Sequence, residues 1–139
     1  MNILAPRLPG ARLLDLCAGS GALGLEALSR GAAHVTFVER HPGVGVVLRG
    51  NIEALGVGPR SRVICGDALQ VLATADPEDF DLVLADPPWS EDLAGALVAQ
   101  FLTRPVGSLL AVEHAAGCPV GGDETRRYGR TAITFCHPS

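Results

Sequence analysis

The sequence of 139 residues contains no lysine, no long apolar run and no closely paired cysteines. All 11 basic residues are arginine, and 15 acidic residues bring the formal net charge to −4. This balance argues against binding of nucleic acid by bulk electrostatics alone. The apolar runs are too short to span a membrane, and the first residues, MNILAPRLPG, lack the apolar core of a signal peptide. We therefore expect a cytoplasmic protein with no membrane partner.

The cysteines and histidines show no metal-binding pattern. Cys17, Cys65, Cys118 and Cys136 are scattered, with no C-x-x-C pair and no histidine at zinc spacing. We expect buried, reduced thiols that act as small apolar side chains, and no metal site. The 4 histidines have no acidic or cysteine companion at useful spacing, so none is assigned a catalytic role.

Short apolar runs alternate with helical segments along the whole chain, without repeats or linkers. This alternation predicts an α/β domain over residues 1–139, with a mostly parallel sheet and helices on both faces. An antiparallel hairpin, turning through Tyr128-Gly129, is expected at the C-terminal edge. The predicted strands are 12–16, 35–38, 62–65, 80–85 and 108–112, the hairpin is 125–136, and the predicted helices are 21–30, 44–55, 68–73 and 93–102.

A glycine-rich turn follows the first predicted strand. Residues 19–24 read GSGALG, which matches the dinucleotide fingerprint G-x-G-x-x-G. Such glycines indicate a tight turn and a close approach of backbone to ligand, without specifying the ligand. In parallel sheets, ligands bind beyond the carboxyl ends of the strands. The polar residues at those ends are therefore the candidates for a binding site.

Three acidic side chains lie at the strand ends, and one of them, Asp15, favours an adenosine cofactor other than NAD. Glu39 can accept hydrogen bonds from both ribose hydroxyls of any adenosine ligand. Asp15, at the lip of the glycine turn, would repel a pyrophosphate by about 1 kcal/mol even in water, but it suits the ammonium and sulfonium of S-adenosylmethionine. Alternatively, the Asp15 carboxylate accepts hydrogen bonds from the backbone N–H groups of the glycine turn. Asp67 either accepts from an adenine amine or caps the helix that follows.

The segment Asp86-Pro87-Pro88-Trp89 favours methylation of an exocyclic amine on a nucleobase. Such an amine is a poor nucleophile because its lone pair is delocalised into the ring. Hydrogen bonds from its N–H groups to the Asp86 carboxylate and the Pro87 carbonyl would direct the lone pair at the methyl group. The prolines hold these acceptors in place, and Trp89 offers a surface on which an unstacked base can lie.

These segments together resemble the bacterial 16S ribosomal-RNA guanine-N2 methyltransferases. The resemblance lies in DLCAGSGALGLEALSRGAAHVTFVER from Asp15, CGDA from Cys65, FDLVLADPPW from Phe80 and YGRTAITF from Tyr128. It implies a Rossmann-like class I methyltransferase fold, S-adenosylmethionine as methyl donor and a guanine in small-subunit rRNA as acceptor. We expect the protein to be a monomer that reaches this guanine within a small-subunit assembly intermediate. The residues that the resemblance assigns to the cofactor are Asp15, Ala18, Gly19, Ser20, Gly21, Glu39, Arg40, Asp67 and Ala68, and those assigned to the target base are Asp86, Pro87, Pro88 and Trp89.

Two departures from the family pattern bear on RNA recognition. Trp89 stands where the family usually has tyrosine, and the chain begins at MNIL, which resembles the end of the family's basic N-terminal arm. The sequence also leaves alternatives open: methylation of an adenine N6, a cofactor-binding module without activity and, least favoured, an NAD-dependent dehydrogenase. Arg126, Arg127 and Arg130 form either a phosphate contact or a solvated hairpin face. Glu113 and His114, at the end of the fifth strand, either line the rim of the site or are surface polar residues, and the second reading is favoured.

Overall fold

The computed structural model describes residues 4–89 and 92–138, so that Met1 to Ile3, in the segment compared with the family's arm, lie outside the described residues. The strands are β1 (Arg12–Leu16), β2 (His34–Glu39), β3 (Ser61–Cys65), β4 (Leu82–Ala85), β5 (Leu109–Ala115), β6 (Glu124–Tyr128) and β7 (Thr131–Cys136). The α-helices are α1 (Ala22–Ser29), α2 (Pro42–Ala54), α3 (Ala68–Thr74) and α4 (Leu93–Thr103), and short 3-10 turns cover Ala5–Arg7, Gly58–Arg60 and Pro77–Asp79.

The strands form one mixed sheet in the order β3-β2-β1-β4-β5-β7-β6. Strands β1 to β5 run parallel to one another, whereas β7 runs antiparallel to both β5 and β6. The predicted α/β architecture with a C-terminal antiparallel hairpin is therefore confirmed. The order reverses beside β1, which places the opening for a ligand at the carboxyl ends of β1 and its neighbours.

The end of β5 and the position of the hairpin turn differ from the prediction because of how the C-terminal strands pair. The fifth strand continues three residues past Val112 because its antiparallel ladder with β7 extends to the pair Ala115–Thr131. The hairpin turn is Gly129-Arg130, one residue later than predicted, since Tyr128 pairs with Thr131. Gly129 has a φ of 65°, which is the left-handed conformation that such a two-residue turn needs at its first position.

Both faces of the sheet are covered by helices. On one face α1 and α2 pack against side chains of β1, β2, β4 and β5, and on the other face α3 and α4 pack against the alternate side chains. This double burial explains why four of the five residues of β1 are buried and three of the five are leucine. By contrast, β6 at the far edge exposes all five of its residues, and its charged side chains protect that edge from further pairing.

Close packing of glycines fixes the start of α1 against the sheet. A side chain at Gly24 would overlap the ring of Phe37 and the side chain of Val35. Gly21 has a φ of 93°, and a Cβ there would stand 2.5 Å from Leu48 Cδ1. The turn that joins β1 to α1 is therefore held directly over the carboxyl end of β1.

The cysteines only partly match the expectation. Cys136 is buried and Cys17 is half-buried, whereas Cys65 and Cys118 are exposed, so the prediction of buried thiols is wrong for these last two. Cys65 ends β3, an edge strand whose side chains are incompletely covered, and Cys118 lies in the loop after β5. Within the described part of the chain, no helix combines the length and apolar character needed to cross a membrane.

Candidate active site

A cavity of about 410 Å³ lies at the carboxyl ends of the parallel strands, where the sequence predicts a ligand site. Its wall brings together segments that are far apart in the sequence: the glycine turn, the end of β2, the start of α3 and the loop after β4. Its volume falls in the range of small-molecule sites. The predicted site residues on this wall are Gly19, Glu39, Arg40, Asp67, Ala68, Asp86, Pro87, Pro88 and Trp89.

Asp15 lies beneath the glycine turn and is not on the cavity wall. It is only 1% exposed and accepts a hydrogen bond from the backbone N–H of Gly24. Burial raises the pKa of the Asp15 carboxyl to about 7, and the negative charges of Asp86 and Glu39 add to the rise. Its Oδ2 atom has no hydrogen-bond partner among residues 4–89 and 92–138. A buried oxygen of this kind is available to a hydrogen-bond donor from outside the described residues.

The other predicted residues that are absent from the wall shape the turn. Ala18 donates its N–H to Val38 O at 2.9 Å, and Gly21 donates to Ala18 O at 2.9 Å. The carbonyl of Ser20 accepts from Asn51 Nδ2 at 2.9 Å, which ties the turn to α2. These bonds support the turn from behind. Direct contacts of Ala18, Ser20 and Gly21 with a cofactor stay a prediction.

Glu39 is the best-anchored acid on the wall. It is 8% exposed, its Oε1 accepts from Gly19 N at 3.0 Å, and its Oε2 accepts from His41 N at 2.9 Å. Each carboxylate oxygen still has a further lone pair for a ligand hydroxyl. The side chain is thus already held in place before any ligand arrives, which lowers the entropy cost of binding.

Asp67 satisfies one of its two predicted roles. Its Oδ2 accepts from Gln70 N at 3.1 Å, which caps the N-terminus of α3. The residue also lies on the cavity wall beside Gly66 and Ala68. Because the cap engages Oδ2, Oδ1 remains the better candidate for an adenine amine. The capping prediction is confirmed, and the adenine contact stays a prediction.

The loop after β4 presents its acid and its indole toward the same cavity. Burial raises the pKa of the Asp86 carboxyl, while a hydrogen bond from Glu113 acts in the opposite direction. Pro87 is buried and Trp89 is 52% exposed, so the indole face is accessible to a partner. An apolar ring left this open beside a polar cavity is suited to stacking with a base.

Two residues near the end of β5 differ in how far they match the expectation. His114 is buried at 4% exposure, with Nε2 2.7 Å from Thr134 Oγ1 and Nδ1 3.0 Å from Ala115 O. Glu113 is half-buried and lies within hydrogen-bonding reach of Asp86. The prediction of a surface residue is therefore wrong for His114, which lies where β5 pairs with β7 from Leu110 to Ala115. Glu113 lines a cavity, as the alternative of a place on the rim of the site allows.

Cys17 is a further residue that sequence reasoning did not place in the site. It lies on the cavity wall with a φ of 57°, and it is the one non-glycine residue with positive φ in the part of the chain that the structure describes. Backbone strain of this kind occurs at functional sites. Burial raises the pKa of its thiol to about 12, and the charges of Glu39, Asp15 and Asp86 add to the rise, so the group stays protonated.

The family model described as "Conserved hypothetical protein 95" matches residues 1–115. The chain belongs to this family. It is 42% identical over 92 residues to the ribosomal RNA small subunit methyltransferase D of Escherichia coli strain K12, covering 66% of this chain and 46% of that protein. It is 39% identical over 95 residues to the protein of the same name from Haemophilus influenzae, covering 67% and 49% of the two chains.

The structural comparison agrees with these matches. A solved structure described as "Putative methyltransferase yhhF from Escherichia coli" superposes with a TM-score of 0.83 at 31% identity, covering 99% of this chain and 81% of that one. The class I methyltransferase fold and the resemblance found in the motifs are thereby confirmed. The chain spans about half the length of the curated relatives it matches.

Proposed function

We propose that this protein transfers a methyl group from S-adenosylmethionine to the exocyclic N2 amine of a guanine in small-subunit rRNA. The observation that carries the proposal is the placement of Asp86 and Trp89 on the same cavity wall as Glu39 and Asp67. One end of the cavity thus suits an adenosine ligand and the other suits an amine on a base. The names of the relatives support the choice of rRNA and of methyl transfer.

The acids around the cavity fit the charges and hydroxyls of the cofactor. Glu39 would accept from the ribose hydroxyls with the lone pairs that its backbone bonds leave over. Asp67 would accept a hydrogen bond from the adenine amine. Asp15, whose Oδ2 has no hydrogen-bond partner among the described residues, would stabilise the ammonium group of the cofactor electrostatically across the glycine turn. When bound, S-adenosylmethionine supplies an electrophilic methyl carbon on a positively charged sulfur.

The loop after β4 would activate the amine. The Asp86 carboxylate and the Pro87 carbonyl accept the two N–H bonds of guanine N2, so that the nitrogen lone pair is directed at the methyl carbon. The cofactor would supply its methyl group to this nitrogen in exchange for the carbon–sulfur bond, with S-adenosylhomocysteine as the leaving group. The extra proton on N2 passes to Asp86 and then to water. No metal or strong base is needed, because this proton leaves after the nitrogen has attacked.

The hairpin of β6 and β7 offers a basic surface for RNA. Arg126 and Arg127 lie on the exposed strand β6, where Arg126 pairs with Glu124 at 3.1 Å. Tyr128 on the same strand reaches a second cavity near Asp86, described below. We propose that the arginines of this edge contact phosphate while the target base enters beside Tyr128, with the protein acting as a monomer on a small-subunit assembly intermediate.

The proposal is tested by methylation of small-subunit particles that lack base methylation, with labelled S-adenosylmethionine. Mass spectrometry of the digested rRNA should show N2-methylguanosine with the wild-type chain. Asp86→Asn should lower the rate by about 10²- to 10³-fold, the loss typical of one preorganised contact. Asp79→Asn, an exposed acid in the 3-10 turn before β4, is the matched control and should retain activity. Label in N6-methyladenosine, or none in RNA, would contradict the proposal.

A further inference from the structure

Two acidic residues at the ends of neighbouring strands stand side by side. The register of β4 and β5 pairs Ala85 with Val112, so the next residues, Asp86 and Glu113, follow on the same rung. Side chains on one rung of a parallel pair point to the same face of the sheet. The two carboxyl groups accordingly lie within hydrogen-bonding reach, and burial raises the pKa of both.

This pair separates two cavities. Asp86 lines the cavity of about 410 Å³ proposed for the cofactor, whereas Glu113 lines a second cavity of about 470 Å³ on the side of the C-terminal hairpin. The second cavity is largely apolar, with Tyr128 and Thr131 at its hairpin side. Among the described residues of its wall, Glu113 carries the only carboxyl group. An apolar cavity with one oriented acid is typical of a site that reads a donor on a flat ligand.

The acceptors of this pair match guanine better than adenine. Guanine presents an N1–H donor directly beside the N–H groups of its N2 amine. Adenine presents a lone pair at N1 beside its N6 amine, so a second carboxylate there would face a lone pair. A base that is flipped out of its helix is commonly recognised through its Watson–Crick edge, which carries these groups. One acid holding the amine and a neighbouring acid reading N1 would therefore select the base as well as position it.

We propose that Glu113 determines base specificity by accepting the N1–H of the target guanine while Asp86 holds the N2 amine. The inference rests on the proposed function, since it assigns the second acceptor for the same substrate.

The test compares guanine with 2-aminopurine at one position of a short synthetic RNA. The 2-aminopurine base keeps the exocyclic N2 amine but has a lone pair in place of the N1–H. At about pH 8, well above the pKa of a free carboxyl group, the wild-type chain should prefer guanine by about 10- to 100-fold in both binding and methyl transfer. In Glu113→Gln, whose amide can donate to the N1 lone pair, the preference should fall to within about threefold.

Glu53→Gln makes the same chemical change at an exposed position of α2 and should keep the wild-type preference. An unchanged guanine preference in Glu113→Gln, or no preference in the wild type, would overturn the inference. Binding is followed by fluorescence anisotropy without methyl transfer. A Glu113-dependent binding preference without transfer to guanine would therefore contradict the proposed function alone.

Discussion

The two sides of the site differ in how their acids are satisfied. On the cofactor side, Glu39 and Asp67 already accept hydrogen bonds from backbone N–H groups. On the target side, Asp86 and Glu113 meet mainly each other and are left half-open to two cavities. The first side is preorganised for a ligand of fixed shape, whereas the second keeps its acceptors available for a reacting amine. We expect substitutions on the first side to change affinity and those on the second to change rate.

The largest effect is expected from Asp86→Asn. Turnover should fall by about 10²- to 10³-fold because one oriented acceptor for the amine is lost. The dissociation constant for S-adenosylhomocysteine should stay within about threefold, because the ribose and adenine contacts remain. Single-turnover kinetics and calorimetry measure the two quantities separately. Equal losses in both would remove the proposed distinction between the two sides.

Glu39→Ala should have the opposite profile. It removes the acceptor for the ribose and for two backbone N–H groups, so cofactor affinity should fall by about 10- to 100-fold. The rate at saturating cofactor should change much less. Calorimetric titration with S-adenosylhomocysteine provides the affinity, and a loss confined to the rate would show that Glu39 acts on the chemical step instead.

Gly21→Ala should destabilise the turn that shapes the cofactor side. The new Cβ would meet Leu48 Cδ1 in a left-handed backbone conformation, at a cost of about 1–3 kcal/mol. Gly50→Ala in α2 is the matched control, because no atom lies near its added Cβ and alanine favours the helix. Urea denaturation should show a lower midpoint for the first variant and an equal or higher midpoint for the second. A neutral Gly21→Ala would mean that Leu48 and the turn shift freely.

Asp15 should make the folded protein less stable as pH rises. Its folded pKa of about 7 lies above the value of 3.8 for a free carboxyl, so the folded state holds the proton more tightly. The free energy of unfolding should therefore fall between about pH 4 and pH 7, by up to about 4 kcal/mol from this residue. Asp15→Asn should remove most of this dependence of the unfolding free energy on pH. The remaining dependence should come from Asp86 and Glu113, whose pKa values are also raised. Urea denaturation across this range measures it, and an unchanged slope would refute the assignment to Asp15.

The smallest effect is expected from Trp89→Tyr. A phenol ring retains a flat surface for the base, so the rate should change by less than about threefold. Trp89→Ala removes the surface and should cost about 5- to 100-fold in RNA affinity, with the cofactor affinity little changed. Anisotropy with a labelled RNA compares the variants. Equal losses in the tyrosine and alanine variants would indicate a specific role for the indole N–H.

Much of the frame could be predicted from local sequence. The bounds of β1 match because a strand buried on both faces is mainly apolar and ends at a glycine-rich turn. Glu39 and Asp86 were identified as site residues because each directly follows an apolar strand, and the carboxyl ends of parallel strands meet at one edge.

The remaining features depend on contacts between distant segments. Asp86 and Glu113 are neighbours because of the register in which β4 and β5 pair. No local sequence pattern predicts that register. The burial of Asp15 depends on how closely α1 sits on the sheet, which Gly24 permits. The positive φ of Cys17 has no sequence signal, because cysteine has no preference for that conformation.

Calorimetric titration of the 139-residue chain with S-adenosylhomocysteine tests the central claim most directly, with NADH as the control ligand. The account predicts a dissociation constant on the order of micromolar for S-adenosylhomocysteine, about 10- to 100-fold weaker binding by Glu39→Ala, and no heat with NADH. Binding of NADH in place of S-adenosylhomocysteine, or no binding of either ligand, would contradict the assignment of this cavity to the methyl donor.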